Sequence, residues 1–272
     1  MGTVAGVDGM EALDGFRLRS LEDSMPLIGN PEQLRQRASR DGFLFFHGLL
    51  RTDVVLPLRG CVLDYASRTG WLDPTCPMSE ARAVPGKRVG DHQDPEWVGL
   101  QVHVQNRPEM WALGDADAIH GALHAVDSRS SYLFLSTANI CRVVSPHPDL
   151  VTQPHQDGHY VHVIADFWTA WIPLEDCPRE MGPLALLAGS HLDGLREHSG
   201  EGVVDGGATV PDDAVWSTID FQCGDLVLFR PHTLHRSLPN RSGDRLRMSV
   251  DFRYGFWSEA TAVDWRAAAT GK

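Results

Sequence analysis

The chain has 272 residues, of which 42% are hydrophobic, and it carries a formal net charge of −12 at pH 7. This length fits one large domain or two small ones, and the apolar fraction is enough to bury a sizeable core. The acidic balance argues against nucleic acid or an anionic membrane surface as the main partner, and no apolar run reaches the length of a membrane span.

The N-terminal part of the chain is predicted to be mainly helical. Residues 1–29 are rich in glycine and alanine and show no clear period, so we expect a loosely ordered leader. Residues 30–39 open with Asn-Pro, the pattern of an N-cap followed by proline in the first turn, and predict a helix. A short buried strand is expected over residues 43–46, and apolar residues at helical spacing predict a second helix over residues 53–68.

Residues 70–105 form the least regular part of the sequence, with several glycines and two prolines close together. A connection of this length without regular structure is usually functional, so we expect a lid-like segment, with a surface loop held down by its tryptophans as the alternative. Residues 107–125 then predict one or two short helices. They carry His120 and His124 four residues apart, but the sequence offers no third ligand, so we expect a structural role for this pair.

From residue 131 onward the sequence changes to short apolar runs separated by turns rich in proline, glycine and aspartate. This pattern is typical of an antiparallel sandwich or jelly roll. The predicted strands lie near residues 132–137, 160–164, 167–174, 184–187, 225–229 and 246–254. We therefore predict one domain over residues 30–272, mainly β with flanking N-terminal helices, in which a double-stranded β-helix of the jelly-roll, cupin-like kind follows the helices.

The cysteines are odd in number, scattered, and never spaced as C-x-x-C: Cys61, Cys76, Cys141, Cys177 and Cys223. This usage is typical of reduced thiols and not of a disulfide framework or a zinc ribbon. The N-terminus also lacks the basic and then apolar pattern of a signal peptide. We therefore expect a cytoplasmic protein.

An imidazole and a carboxylate stand two residues apart in the segment PHQDGHY. Residues i and i+2 of an extended strand point to the same face, so His155 and Asp157 could bind one metal ion together. With a second histidine, the set becomes the two-histidine, one-carboxylate triad of non-haem Fe(II) oxygenases. The same tripeptide recurs at His92-Gln93-Asp94, where no strand-like alternation surrounds it, and we interpret that copy as a solvated polar loop.

The second histidine is expected late in the predicted roll. His232 and His235 both follow the apolar run at residues 226–229, and their spacing alone does not choose between them. Farther on, Arg245 and Arg247 share one face of a strictly alternating segment. A buried arginine favours a planar anion such as the carboxylate of a co-substrate, because its fork of donors matches that shape.

Five segments in a fixed order, which together cover roughly residues 30–255, carry a resemblance to a known family. They are RDGFLFFHGLL, PHQDGHY, WIPLEDCPREMGPLALLAGSH, GDLVLFRPHTLHRSLPNRS and LRMSVDFRY. In these segments the chain resembles the phytanoyl-CoA dioxygenase-like family of Fe(II)/2-oxoglutarate oxygenases, and in particular its bacterial natural-product hydroxylases.

The resemblance implies a role for individual residues at the metal. His155 and Asp157 match the two neighbouring ligands, and His235 matches the distant ligand, which leaves His232 as a structural histidine. The family pattern does not include His92. The cofactors implied are Fe(II), 2-oxoglutarate and O2.

The resemblance also assigns a co-substrate site. Arg247 and Ser237 match the residues that bind the far carboxylate of 2-oxoglutarate, with Arg245 as a minority candidate because the interval varies among relatives. Trp171 matches a tryptophan that packs on the co-substrate, and an ordinary core aromatic is its alternative.

The implied activity is oxidation of a small molecule, by hydroxylation, desaturation or ring closure, in bacterial antibiotic biosynthesis. Halogenation is disfavoured because relatives that halogenate carry a small residue in place of Asp157. His159, Tyr160 and His162 follow the metal motif and are the predicted substrate contacts. The rival hypotheses are a catalytically silent jelly roll that binds a sugar or metabolite, and a zinc hydrolase, which would lack a general base.

Overall fold

The computed structural model describes residues 4–5, 11–13, 15–90, 92–127, 132–134, 139–147, 149–161, 166–200 and 206–256. Within these residues the strands are β1 (Val4–Ala5), β2 (Glu11–Leu13), β3 (Phe16–Ser20), β4 (Phe43–Phe46), β5 (Tyr132–Phe134), β6 (Ile140–Val144), β7 (Phe167–Pro173), β8 (Leu184–Leu187), β9 (His198–Ser199), β10 (Gly207–Ala208), β11 (Val215–Thr218), β12 (Leu226–Phe229), β13 (His235–Ser237) and β14 (Arg247–Phe256). The helices are α1 (Pro31–Asp41), α2 (Thr52–Arg68), α3 (Pro95–Gln105), α4 (Pro108–Gly114) and α5 (Asp117–Val126). This content confirms the predicted mainly β fold with helices ahead of the roll.

The strands form two larger sheets and one short pair. The first sheet has the order β1-β2-β3-β11-β8-β13, and the second has the order β4-β12-β7-β14-β5, with β6 also paired to β14. All of these pairings are antiparallel except that of β3 with β11. Strands β9 and β10 pair with each other.

Side-chain alternation gives the second sheet two different faces. One face packs against the helices, and its main contributors are Leu44, Phe46, Ala170, Ile172, Leu228, Met248, Val250 and Phe252. The other face meets the first sheet in a separate apolar cluster that includes Phe43, Phe45, Trp171, Leu184, Leu186, Val227 and Phe229. The two sheets therefore enclose an interior, and polar side chains on the interior face of β14 are buried there.

The start of α1 follows the sequence signal that predicted it, and a glycine ends the helix. The side chain of Asn30 accepts a hydrogen bond from the backbone N–H of Gln33 at 3.2 Å, which satisfies a donor of the first turn. Gly42 ends the helix with φ +83°, and a Cβ there would lie 2.4 Å from the His191 ring. Glycine at this position therefore permits both the turn and the close approach of His191.

The predicted leader is wrong for the residues from Phe16 to Ser20. They form β3, whose residues 17–20 pair with residues 215–218 of β11. Leu18 is 1% exposed and packs with Trp216, and the guanidinium of Arg236 lies 4.4 Å from the centre of the Phe16 ring. This strand is ordered by a distant partner. The Asp14-Gly15 dipeptide directly before it is a turn signal typical of β-hairpins, which the expectation of a loose leader did not use.

The segment over residues 70–105 is more regular than predicted, because it contains α3. Before that helix, the backbone N–H of Ser145, beside β6, donates to the carbonyl oxygen of Val89 at 2.9 Å, and the Ser145 hydroxyl accepts a hydrogen bond from the backbone N–H of Val89 at 2.9 Å. Trp71 is buried, and its ring N–H donates to Glu96 at 2.7 Å. Among the described helices, none combines the length and the hydropathy needed to cross a bilayer.

Candidate metal centre

Three buried side chains from two separate parts of the chain meet in the interior. The Nε2 atoms of His155 and His235 each lie 3.7 Å from Oδ1 of Asp157, and the two imidazole rings are 4.1 Å apart between centres. In the described part of the chain this is the one cluster of three histidine, cysteine or carboxylate side chains placed to hold a metal ion.

Backbone pairing brings the two histidines together. His155 and His235 exchange both backbone hydrogen bonds, at 2.9 and 3.0 Å, in an isolated antiparallel bridge next to β13. The expected extended strand does not continue to Asp157, which instead starts a turn of 3-10 helix over Asp157–His159. The two-residue spacing thus still joins His155 to Asp157, but through a bridge and a turn.

Gly158 allows this turn to sit against the segment before His235. Its N–H donates to the carbonyl of Pro231 at 2.8 Å, and a Cβ would lie 2.9 Å from the His232 ring. His232 therefore packs against the turn and is not part of the cluster. Its carbonyl oxygen accepts a hydrogen bond from the side chain of Gln156.

The protonation of both imidazoles is set by their neighbours. Nδ1 of His155 lies 2.8 Å from the carbonyl oxygen of Gln153, and Nδ1 of His235 lies 3.0 Å from that of Thr233. A carbonyl oxygen only accepts, so each Nδ1 carries the proton and each Nε2 presents a lone pair toward Asp157. Burial lowers the pKa of both rings, which keeps them neutral.

The second oxygen of Asp157 faces two donors that the sequence analysis missed. Thr169 Oγ1 donates to Oδ2 at 2.6 Å, and Arg253 Nη2 donates to the same atom at 2.9 Å. Burial by itself would raise the pKa of this carboxyl, but the neighbouring Arg253 guanidinium holds it well below its usual range. Asp157 is therefore an ionised carboxylate.

A cavity adjoins the histidines. Its lining residues are Arg142, Thr152, His155, Trp171, Leu184, His235, Arg236, Ser237, Arg247 and Asp251. The cavity thus brings together Arg247, Ser237 and Trp171, the three residues that the family resemblance assigned to 2-oxoglutarate.

Arg247 and Arg245 have different surroundings. Arg247 is buried, donates from Nη1 to Ser249 at 2.7 Å, and lies within ion-pair distance of no carboxylate among the described residues. Arg245 has a side chain that is 37% exposed and contacts Glu175 at 3.4 Å, outside the cavity. Burial lowers the pKa of Arg247, so the site favours an incoming anion.

Ser237 and Trp171 form parts of the cavity wall. The Ser237 hydroxyl accepts a hydrogen bond from the backbone N–H of Thr152 at 2.8 Å, which fixes its position. Trp171 stands opposite Asp251 in the register of β7 and β14, and its ring meets Phe221 edge to face at 4.8 Å.

A buried ion pair in the cavity lining was also missed by the sequence analysis. Arg142 of β6 donates from Nε to Asp251 of β14 at 2.8 Å. The signal that could have identified it is the alternation of β14, because Arg247, Ser249, Asp251 and Arg253 occupy every second position of the strand.

The repeated tripeptide His92-Gln93-Asp94 lies outside the candidate metal site formed by His155, Asp157 and His235. Asp94 caps α3 by accepting a hydrogen bond from the N–H of Glu96 at 2.8 Å. The interpretation of His92 as solvated is wrong, since its ring stacks on Trp97 at 4.4 Å and its Nε2 accepts a hydrogen bond from Arg142 at 3.1 Å. These contacts place the segment before α3 against the cavity wall.

The predicted substrate contacts lie beside the metal cluster. His159 stacks on His198 at 4.0 Å with nearly parallel rings, and the Tyr160 ring meets His155 at 5.9 Å. His162 lies outside the described residues. Nothing in these contacts assigns a ligand, so the substrate role of the three residues stays a prediction.

With the geometry in place, comparison with known proteins identifies the family. The sequence profile described as phytanoyl-CoA dioxygenase (PhyH) matches residues 83–249, more than half of the chain. The chain belongs to the phytanoyl-CoA dioxygenase family. The predicted family membership is thereby confirmed.

Two relatives of this chain come from Streptomyces species. The 1-deoxypentalenic acid 11-beta-hydroxylase of Streptomyces arenae is 29% identical over 255 residues, which cover 85% of this chain and 83% of the hydroxylase. The enzyme of the same name from Streptomyces exfoliatus is 25% identical over 244 residues.

Solved structures give the same fold. The epimerase SnoN, in complex with Fe3+, alpha ketoglutarate and nogalamycin RO, is 22% identical with a TM-score of 0.57 over 84% of each chain. The alpha-ketoglutarate-dependent carbocyclase SnoK of nogalamycin biosynthesis is 19% identical with a TM-score of 0.53, covering 82% of this chain and 83% of SnoK. This likeness in fold confirms the predicted jelly roll.

The residues of this phytanoyl-CoA dioxygenase family member fit the cofactors of the family. Two neutral imidazoles with free Nε2 atoms and one ionised carboxylate are the donor set that suits divalent iron. Outside them, Arg247 offers a buried cation that lacks an anionic partner among the described residues. The chain is an enzyme of the non-haem iron, 2-oxoglutarate-dependent class, as predicted.

Proposed function

We propose that this protein oxidises a small molecule with Fe(II), 2-oxoglutarate and O2, and that it releases succinate and CO2. The observation that carries the proposal is that the cluster of His155, Asp157 and His235 adjoins a cavity that Arg247 also lines. The three candidate metal ligands alone would be compatible with several classes of metal-dependent reaction. The buried cation beside them adds a place for a dianionic co-substrate.

His155, Asp157 and His235 would hold the iron. Their imidazoles are neutral and their tautomers are fixed by the carbonyl oxygens of residues 153 and 233, so the ligand atoms are set in place before metal binds. Iron bound there would supply the redox chemistry that couples decarboxylation of 2-oxoglutarate to oxidation of the substrate.

Arg247 and Ser237 would bind the far carboxylate of 2-oxoglutarate, and Trp171 would pack beside it. A guanidinium in a buried setting binds a carboxylate more strongly than one in water, because solvent no longer competes for the same donors. Glu175 pairs with Arg245 and Arg59, at 3.4 and 3.0 Å, and does not reach Arg247. The guanidinium of Arg247 is thus available to bind the co-substrate.

The proposed reaction is hydroxylation, desaturation or ring closure, and not halogenation, because the carboxylate of Asp157 is present at the metal cluster. The proposed substrate is a small molecule of bacterial antibiotic biosynthesis. The proposal draws support from relatives named for 1-deoxypentalenic acid and nogalamycin. His159, Tyr160 and His162 are the proposed substrate contacts, and five free cysteines support a cytoplasmic location.

The test uses turnover of 2-oxoglutarate, which can proceed without a known substrate. Succinate formation and O2 uptake are measured with Fe(II) for the wild type, His155→Ala and Asp157→Ala. Both substitutions remove a metal ligand, so we expect succinate formation to fall to background. His147→Ala removes a histidine that contacts Arg88 away from the cluster, and it should keep the wild-type rate.

Two results would contradict the proposed function. Unchanged succinate formation in His155→Ala and Asp157→Ala would exclude the cluster as the metal site. Binding of Fe(II) and 2-oxoglutarate by the wild type without O2 uptake, with or without a panel of candidate substrates, would indicate a catalytically silent binding protein.

A further inference from the structure

We infer that Arg253 and Thr169 are positioning residues that hold Asp157 so that a bound metal meets it through Oδ1 alone. The inference rests on the proposed function, because it concerns the same metal. It goes further by assigning a task to two buried residues that touch neither the metal nor the co-substrate cavity.

The two residues reach Asp157 from neighbouring strands. Arg253 of β14 stands directly opposite Thr169 of β7 in the register of the sheet, so both side chains project from one face. They converge on a single atom, with Thr169 at 2.6 Å and Arg253 at 2.9 Å from Oδ2. The other oxygen, Oδ1, faces His155 and His235 at 3.7 Å each.

Whether one or both carboxylate oxygens of Asp157 bind the metal determines how many coordination positions stay open. A carboxylate can bind a metal through one oxygen or through both. With two histidines and one oxygen, an octahedral metal keeps three positions open, which the co-substrate and O2 need together. If Oδ2 also bound, about one of those positions would be lost, and two donors on Oδ2 prevent that.

Arg253 is itself fixed by its surroundings. Its Nη2 atom lies 3.9 Å from Asp251, and Asp251 accepts a hydrogen bond from Arg142 at 2.8 Å. A buried guanidinium is costly unless carboxylates compensate it, and here two carboxylates flank it. The chain Arg142, Asp251, Arg253 and Asp157 is therefore assembled from protein groups alone, before any metal binds.

Thr169 and Arg253 each have a matched control elsewhere in the protein. Thr218 is buried like Thr169 and donates one hydroxyl hydrogen bond, to the carbonyl of Leu184 at 2.7 Å. Arg59 is mostly buried and pairs with a buried carboxylate, Glu175, at 3.0 Å.

The experiment titrates the full chain with Mn(II) and follows free metal by electron paramagnetic resonance. Water-proton relaxation of the same samples reports how many exchangeable waters remain on the bound Mn(II). The variants are Thr169→Val, Thr169→Ser, Arg253→Met and Arg253→Lys, with Thr218→Val and Arg59→Met as controls. Thermal unfolding without metal confirms that each variant is folded.

We expect Thr169→Val and Arg253→Met to weaken Mn(II) binding by about 10- to 100-fold, the usual effect of losing a group that orients a metal ligand. We also expect about one fewer exchangeable water, because the freed Oδ2 can bind the metal. Thr169→Ser keeps the hydroxyl and should restore both values, and Arg253→Lys should restore them in part. The two controls should match the wild type.

The outcomes separate this inference from the proposed function. If the wild type binds Mn(II) and both Thr169→Val and Arg253→Met match their controls in affinity and water number, the positioning role is overturned. If the wild type binds no Mn(II), the metal site and therefore the proposed function fail, and the inference fails with them. A loss of affinity in the controls as large as that in the variants would reveal general destabilisation and would also overturn the role.

Discussion

Arg245 and Arg247 are two residues apart, and their positions decide which one can serve a co-substrate. The alternation of the sequence put both on one face, but Arg245 precedes β14 and its side chain leaves the sheet to meet Glu175. Arg247 is the first residue inside the strand, where the pleat directs it into the interior. Strand alternation predicts a face only within the strand itself.

Replacing Arg247 tests the co-substrate site. We expect Arg247→Met to raise the KM for 2-oxoglutarate by about 10- to 100-fold, because a hydrogen bond to a charged group contributes about 1.5–3 kcal/mol. Mn(II) affinity measured without 2-oxoglutarate should change little. Arg245→Met is the matched control, and its KM should stay near the wild-type value. A raised KM in Arg245→Met alone would make Arg245 the anchor.

The metal cluster was more predictable than its supports. His155, Asp157 and His235 lie in motifs that follow one another in a fixed order along the sequence, and their residue types indicate metal binding. Arg253 and Thr169 carry no such signal, because an arginine or a threonine in a strand indicates only a polar side chain until its partner is known. Their role depends on a register between β7 and β14, and a single sequence does not reveal which residues stand opposite each other.

The element most at odds with the sequence-based prediction is β3. Its five residues alternate as a strand should, but the glycine-rich residues around them suggested a loose leader. Pairing with β11, almost two hundred residues later, supplies the hydrogen bonds and the apolar contacts that order it. Helix α1, by contrast, is fixed by its own Asn30 and Gly42, and such local signals are what a sequence shows best.

The burial of Leu18 gives a direct measure of what β3 contributes. Leu18→Ala removes a side chain that is 1% exposed, and we expect it to lower the free energy of unfolding by about 2–5 kcal/mol. Leu192→Ala is the control, because Leu192 is 71% exposed and its truncation should change stability by less than about 0.5 kcal/mol. Urea unfolding of both variants would check this. Equal stabilities would mean that β3 is not part of the cooperative fold.

At the scale of the whole molecule, the buried charge around the cavity is opposite in sign to the net charge of the chain. The net charge is −12, but the region around the cavity buries three arginines, Arg142, Arg247 and Arg253, against two aspartates, Asp157 and Asp251. Buried charges without full compensation reduce stability. Binding of the dianionic co-substrate would relieve the excess of positive charge.

Ligand binding should therefore stabilise the fold measurably. A ligand that binds only the folded state at 100 times its Kd adds about 2.7 kcal/mol. We expect Mn(II) with 2-oxoglutarate to raise the Tm of the wild type, and 2-oxoglutarate alone to raise it less. Asp157→Ala should lose most of the joint effect. Differential scanning calorimetry would test this, and an equal rise in the Asp157→Ala variant would place metal or co-substrate elsewhere.

The pairing of distant strands also dictates when the protein can fold during synthesis. Strand β4 pairs with β12, β3 with β11, and β6 with β14, so each sheet can close only after its own last strand, β13 or β14, has left the ribosome. The helices end at Val126 and β14 ends at Phe256, an interval of 256 − 126 = 130 residues. At a synthesis rate of about 5–20 residues per second, the apolar face of the helices stays uncovered for on the order of 10 s before β14 has been synthesised. A chain released before β14 would lack the strand that pairs with β5, β6 and β7, together with Arg247 and Arg253. Premature termination therefore yields a protein that can neither close its roll nor anchor its co-substrate.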